Sequence, residues 1–173
     1  MSSISIQKIG ITKLDTDAVV NAANSGLAIG SGVCAHIFYD AGIAEMMQAC
    51  NKYGHCDTGS AVITPGFRLP AKYVIHAVGP IWQGGSNQED RLLLSAYMKS
   101  LMLAKENDIH SIGFPLISAG IYRVPLEIAW RKAIEACQDF IDANPNYKID
   151  IIFAVIDDEI KALGEKILNE SKG

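Results

Sequence analysis

Segments patterned as strands and segments patterned as helices alternate from one end of this chain to the other, and that alternation restricts the fold more than any other feature. Alternating or β-branched runs at Ile4–Ile9, Ala18–Asn21, Ser60–Thr64, Tyr73–Ala77, Ser111–Pro115 and Ile149–Ile156 predict strands. Apolar residues at helical spacing mark Ile43–Tyr53, Glu89–Asn107 (Leu93, Tyr97, Leu101) and Leu126–Ala143 (Trp130, Ile134, Cys137, Ile141), and a last helix opens near Asp157. Strands buried on both faces need helices above and below them, and crossover helices make neighbouring strands parallel. The expected architecture is an α/β fold of three layers, α/β/α, around one sheet with room for an antiparallel pair.

A chain of 173 residues is long enough to bury a core of this kind, and one domain over residues 1–173 is expected. No linker or repeat interrupts it, and the one segment that reads as loose is Gln83-Gly84-Gly85-Ser86-Asn87. The net charge is −4 and the basic residues form no run, which argues against binding a nucleic-acid duplex or an anionic membrane. A bound phosphate would then be held by backbone N–H groups. No apolar stretch approaches the roughly 20 residues of a membrane span, and the first residues show no leader pattern, so a cytoplasmic setting is expected. The four cysteines, Cys34, Cys50, Cys56 and Cys137, form no CxxC pair and are expected as free thiols. Cys50, His55 and Cys56 lack a fourth ligand at a recognisable spacing, so no metal is expected, and no cofactor is required.

In an open α/β sheet, ligands bind beyond the carboxyl ends of the strands. Two segments lie there. One runs from Asn21 to Cys34 through Asn24, Gly30, Ser31, Gly32 and Val33; the other is Ser118-Ala119-Gly120-Ile121-Tyr122. Small residues let a backbone approach a phosphate closely, and a following helix offers unpaired N–H groups and its positive end. Either loop alone is explained as a tight turn; the pair, with Asn24 beside the first, suggests a diphosphate gripped from two sides. Gly30-Ser31-Gly32-Val33-Cys34-Ala35 also fits G-x-G-x-x-A, but Gly30 lies nine residues beyond Asn21 rather than in the turn that ends the strand, so a nicotinamide site is rejected. Cys34 and His36 stand two apart on a helix and cannot face one another as nucleophile and base. His76 and Trp130 read as core residues.

Read together, Val19-Val20-Asn21-Ala22-Ala23-Asn24, Gly30-Ser31-Gly32-Val33, Pro70 to Pro80 and Phe114-Pro115-Leu116-Ile117-Ser118-Ala119-Gly120-Ile121-Tyr122 resemble the macro domain family, in the family's order and over roughly Ile9 to Glu159. The resemblance implies a six-stranded mixed sheet and a cleft for ADP-ribose or a related nucleotide diphosphate, free or carried on an ADP-ribosylated protein. It assigns Gly30, Ser31, Gly32 and Val33 to the first phosphate loop and Ser118, Ala119, Gly120, Ile121 and Tyr122 to the second. Asn24 would bond the distal ribose hydroxyls, Tyr122 would pack over that ribose, and Ile11 and Ile156 would lie at the adenine end.

The chain departs from the family at telling places. Cys34 stands where many members carry a catalytic aspartate, Gly10 where an aspartate reads the adenine amino group, and Ser118–Tyr122 holds no acid. Asp157 is either a substitute for that adenine contact or the cap of the last helix, and capping is the preferred role. The resemblance implies either a slow, substrate-assisted hydrolase of ADP-ribose derivatives, with Asn24 positioning the ribose and Cys34 at the catalytic position, or a non-catalytic ADP-ribose-binding module. Gly10 alone keeps open a third reading, a binder of a different nucleotide or of nucleic acid.

Overall fold

The computed structural model describes residues 1–172. Six strands form one sheet: β1 (Ser3–Lys8), β2 (Ala18–Ala23), β3 (Ala61–Pro65), β4 (Tyr73–Val78), β5 (Ser111–Phe114) and β6 (Asp150–Val155), ordered β1-β6-β5-β2-β4-β3. Neighbours from β1 to β4 pair in parallel, and β3 runs antiparallel to β4. Five helices complete the fold: α1 (Val33–Ala41), α2 (Ile43–Asn51), α3 (Glu89–Glu106), α4 (Leu126–Ala143) and α5 (Asp158–Lys172). The expected three-layer α/β/α architecture with a mixed sheet is what the structure has.

Alternate residues of the central strands serve two separate cores. Ala18, Val20, Ile75 and Ala77 face a core completed by Leu93, Tyr97, Trp130 and Phe153, on the side of α3, α4 and α5. Val19, Val74 and Val78 face the other, with Ile37, Phe38 and Met46 of α1 and α2. The two-residue period of a strand is thus filled mainly with apolar side chains on both faces, as a covered parallel sheet requires, with the buried Asn21 and His76 as polar exceptions on the α1 side.

Local chemistry explains where the elements depart from expectation. β2 runs two residues beyond Asn21, because Ala22 and Ala23 pair with Ala77 and Val78 although they carry no strand pattern of their own. The helix expected over Ile43–Tyr53 stops at Asn51. Ahead of it, Gly42 at φ 115° donates its N–H to the Phe38 carbonyl and ends α1, a turn that an L-residue rarely adopts. The Gln83–Asn87 segment is not loose. The Glu89 carboxylate accepts the N–H groups of Gln83 (2.8 Å), Gly85 (2.9 Å) and Asn87 (2.6 Å). These bonds, that from Gln83 first, hold its carboxyl below the ordinary carboxylate range.

Candidate ligand-binding cleft

Because β6, β5, β2 and β4 are parallel, the loops that follow them leave from one edge of the sheet. The loops after β2 and β5 meet there around a cleft of about 280 Å³. Asn24 and Gly30–Cys34 form one wall and Leu116–Ser118 with Gly120–Tyr122 the other, while Gly79, just past β4, closes one end. The two glycine-bearing segments singled out in the sequence are therefore opposed walls of one cavity.

The first wall ends in a helix start. Gly32 at φ 61° turns the chain into α1, no side chain caps the helix, and a Cβ built at Gly32 would meet nothing within 4 Å. The first N–H groups of a helix have no intrahelical partner, and the helix dipole adds partial positive charge there. Among the described residues, the N–H groups of Ser31, Gly32 and Val33 donate to no protein acceptor, nor do those of Gly120, Ile121 and Tyr122 opposite. Uncommitted donors thus line both sides, and among the described residues the lining carries no lysine, arginine, histidine or carboxylate. Such an arrangement has the chemistry to hold an anion by backbone.

The second wall is strained and tightly seated. The buried Tyr97 hydroxyl accepts the Ile117 N–H (2.8 Å) and donates to the Pro115 carbonyl (3.3 Å), fixing the run that leads into the loop. Ser118 sits at φ 65°, and Val124 N–H donates to its carbonyl. A side chain at Gly79 would collide with Ser118 Oγ and Ile117 Cγ2, so the close approach of β4 to this loop requires glycine. Ser118 Oγ itself is buried and has no hydrogen-bond partner in the protein, a costly state for a hydroxyl that borders a cleft.

Asn24 lines the cleft but is occupied within its own loop: Oδ1 accepts the Ala28 N–H (3.0 Å) and Nδ2 donates to the Ala28 carbonyl (2.9 Å). One Nδ2 hydrogen and one Oδ1 lone pair stay available. Cys34, 4 % exposed, lines the floor, and its Sγ accepts from Gly30 N–H (3.4 Å) and Asn21 Nδ2 (3.5 Å). His36 is exposed, so the Cys34–His36 pair is absent, as the helix spacing required. A different histidine lies behind the thiol. Asn21 Nδ2 also donates to His76 Nδ1 (3.0 Å), which leaves the ring proton on Nε2, facing Thr64 Oγ1 at 3.0 Å. Burial pushes His76 down to about 4, so the ring is neutral at pH 7. His76 is the core histidine expected, yet it connects through Asn21 to the cleft.

Three expected site residues lie outside the cleft. Ala119 sits in the second loop without reaching the lining. Ile11 is 6 % exposed in a short 3-10 turn (Ile11–Lys13) after β1, where it packs into the core on the α1 side. Ile156, after β6, is 74 % exposed and open to solvent. Asp157 caps α5 through its Oδ1, which accepts the Ile160 N–H (2.9 Å). Arg123 is exposed and also outside the lining. The lining residues the sequence did not mark are Ala22, Ala23, Gly79, Pro115, Leu116 and Ile117. Gly79 had two readable signals, its place directly after a predicted strand and its position in the Pro70 to Pro80 run, but no role was assigned to it.

The family model described as Macro domain matches residues 20–133. A macro domain-containing protein of Ralstonia nicotianae is 45 % identical over 163 residues, covering 94 % of this chain and 92 % of that one. The O-acetyl-ADP-ribose deacetylase of Escherichia fergusonii is 42 % identical over 173 residues, with 98 % and 97 % coverage. The Oceanobacillus iheyensis macrodomain with ADP superposes with a TM-score of 0.90 at 32 % identity, covering 96 % of this chain and 90 % of that chain. Sequence profile, relatives and fold agree with the order of motifs along the strands: this chain belongs to the macro domain family.

Proposed function

We propose that the cleft binds ADP-ribose and that the protein slowly hydrolyses ADP-ribose derivatives bearing an acetyl, phosphoryl or protein-linked group on the distal ribose. One observation carries the reading: two loops with uncommitted N–H donors face each other across a cleft without acidic side chains, which suits a diphosphate. In this reading Gly30, Ser31, Gly32 and Val33 grip one side of the diphosphate, and Ser118, Gly120, Ile121 and Tyr122 the other. Asn24 turns its free hydrogen-bonding capacity to the distal ribose. The adenine extends along the sheet edge toward Ile11 and Ile156. The Oceanobacillus relative with ADP and the Escherichia deacetylase support this assignment.

Hydrolysis would be assisted by the substrate. For an acetyl ester, water oriented by the bound diphosphate adds to the carbonyl, the ester C–O bond breaks, the ribose oxygen takes one of the water's protons to leave as the hydroxyl, and acetate departs with the second proton released to solvent. Loop N–H groups stabilise the developing oxyanion. General-base help is worth about 10² to 10⁴ in rate, and Cys34 at the aspartate's position supplies none of a carboxylate's, so turnover is slow. The same substitution favours the alternative, a non-catalytic ADP-ribose module. The four cysteines are buried free thiols, which supports a reducing, cytoplasmic setting.

Calorimetric titration with ADP-ribose, with AMP, ADP and NAD as controls, tests the binding. We expect a Kd of about micromolar or tighter for ADP-ribose and weaker binding of the controls. Asn24→Ala should weaken ADP-ribose about ten-fold through lost ribose bonds. Gly32→Glu should weaken it about 100-fold or more, because it brings a carboxylate against the diphosphate. Absence of ADP-ribose binding at millimolar concentration would overturn the reading. Release of acetate from O-acetyl-ADP-ribose separates the hydrolase from the module.

A further inference from the structure

The four cysteines are all buried, but their surroundings differ. Cys137 lies in the core on the side of α3, α4 and α5, and Cys50 and Cys56 in the core on the side of α1 and α2. Burial above all pushes these three thiols up, Cys50 to about 11, so they are protonated and inert at pH 7. Of the four, only Cys34 lines the ligand cleft. Its sulfur is set among donors, Gly30 N–H at 3.4 Å and Asn21 Nδ2 at 3.5 Å, in the first turn of a helix that no side chain caps. Donors and the positive end of a helix favour the reactive thiolate. An independent feature marks the same cleft as built for a polar guest. Ser118 Oγ on the facing wall is buried without a hydrogen-bond partner in the protein, so only something within the cleft can satisfy it.

We propose that Cys34 is a modification site: a hydroperoxide entering the cleft oxidises its thiol reversibly to a sulfenic acid, and the oxidised cleft no longer holds ADP-ribose. The ligand half of this rests on the ADP-ribose reading above. With hydrogen peroxide, the sulfur attacks one peroxide oxygen, the S–O bond forms and the O–O bond breaks. Sulfur is oxidised by two electrons, the peroxide is reduced, and the thiol proton leaves on the departing oxygen as water. The bonded path from Cys34 to Cys50 passes through Asn21 and His76, so the product is a sulfenic acid that an external thiol reduces, not an internal disulfide. The sulfur sits tightly behind the first loop. A Cβ at Gly30 would stand 3.6 Å from Cys34 Sγ and 3.7 Å from Asn24 Nδ2. An oxygen added to Sγ therefore either displaces the Gly30 N–H or projects into the cleft. Both disturb the wall that takes the diphosphate and ribose in the reading above. Oxidation and ligand binding then oppose one another, and linkage makes the opposition mutual.

The test exposes the purified protein to hydrogen peroxide with dimedone as the sulfenic-acid trap, with and without saturating ADP-ribose, and maps the adducts by peptide mass spectrometry. The adduct is expected on Cys34 and not on Cys50, Cys56 or Cys137, and ADP-ribose should slow its formation about ten-fold or more. Protein oxidised without dimedone should bind ADP-ribose about ten-fold or more weakly by calorimetry and regain its affinity in dithiothreitol. That recovery separates the thiol from the exposed Met47 and Met102, whose sulfoxides dithiothreitol leaves in place. In Cys34→Ser the ADP-ribose affinity, whatever its starting value, should not change with peroxide. Absence of the adduct from Cys34, or its spread over all four cysteines, would overturn the inference. So would unchanged ADP-ribose affinity in oxidised wild type, or an equal effect of peroxide in Cys34→Ser. Failure of the reduced wild-type protein to bind ADP-ribose would overturn the ADP-ribose reading instead, and the adduct map would still decide the modification site.

Discussion

Both faces of the sheet are covered by helices but filled with different chemistry. On the side of α3, α4 and α5 the core is apolar and aromatic: Tyr97, Phe114, Trp130 and Phe153 pack with ring centroids between 5.1 and 6.2 Å apart. On the side of α1 and α2, a polar chain is threaded through the core, from Cys34 through Asn21 to His76 and on to Thr64 and the Cys50 thiol. The difference follows the cleft. The loop after β2 and the start of α1 must be placed accurately, and buried hydrogen bonds specify position where apolar contacts specify only proximity. The aromatic face should therefore carry stability and the polar face the geometry of the site.

The sharpest way to break this division is Trp130→Ala. Trp130 is fully buried, packs edge-on to Phe153 at 5.3 Å and donates its indole N–H to the Ile160 carbonyl (3.0 Å). A cavity of that size costs about 3–5 kcal/mol. Denaturant unfolding should show a loss in that range, and where the variant is still folded its ADP-ribose affinity should be close to wild type. A large loss of affinity without loss of stability would show that the aromatic face positions the site after all.

The polar face should reveal itself through pH. His76 is pushed from 6.5 to about 4 by burial, so the unfolded chain binds a proton there that the folded chain does not. Stability from this group is complete above about pH 6.5, declines as pH falls, and is lost below about pH 4, a change of roughly 3 kcal/mol. His110 shifts the opposite way, raised mainly by the Lys148 carbonyl, but it is exposed and common to the proteins compared. Unfolding free energies at pH 7 and pH 4.5 should differ less in His76→Gln than in wild type. An unchanged difference would mean that His76 titrates normally and that the buried chain is not closed.

These two regions also differ in how far the sequence disclosed them. The aromatic core announced itself, since Leu93, Tyr97 and Leu101, and Trp130, Ile134 and Cys137, recur at helical spacing and any burial of that stripe gives this packing. The polar chain did not. Asn21 and His76 are cross-strand partners in the β2–β4 register, a relation created by pairing 55 residues apart and invisible to local pattern. The two glycine-bearing segments were legible as a pair, since a tight turn explains either one alone but two such loops at strand ends, with Asn24 beside the first, are harder to explain that way. Ile11 and Ile156 were placed by likeness alone; they follow adjacent strands but stay outside the cleft, because it is built on β2, β4 and β5. The bond from Asn24 to Ala28 and the orphan hydroxyl of Ser118 depend on loop conformation, which turn residues do not specify.

The finest test places a charge where the two regions meet the ligand. Cys34 sits in the first turn of α1, its sulfur within reach of the Gly30 N–H and the Asn21 amide, so Cys34→Asp would introduce a carboxylate already supplied with two donors and a helix N-terminus. It would also restore the acid that many family members carry there. Release of acetate from O-acetyl-ADP-ribose should then rise about ten-fold, close to 1.4 kcal/mol of barrier, with the pH profile acquiring an acidic limb as the new carboxyl titrates. In Cys34→Asp combined with Asn21→Leu, one donor is removed and the gain should shrink, because the carboxylate loses the bond that aims it. A rate that stays flat in Cys34→Asp while ADP-ribose still binds would favour the binding module, and would mean that the polar face serves to hold the loop rather than to activate water.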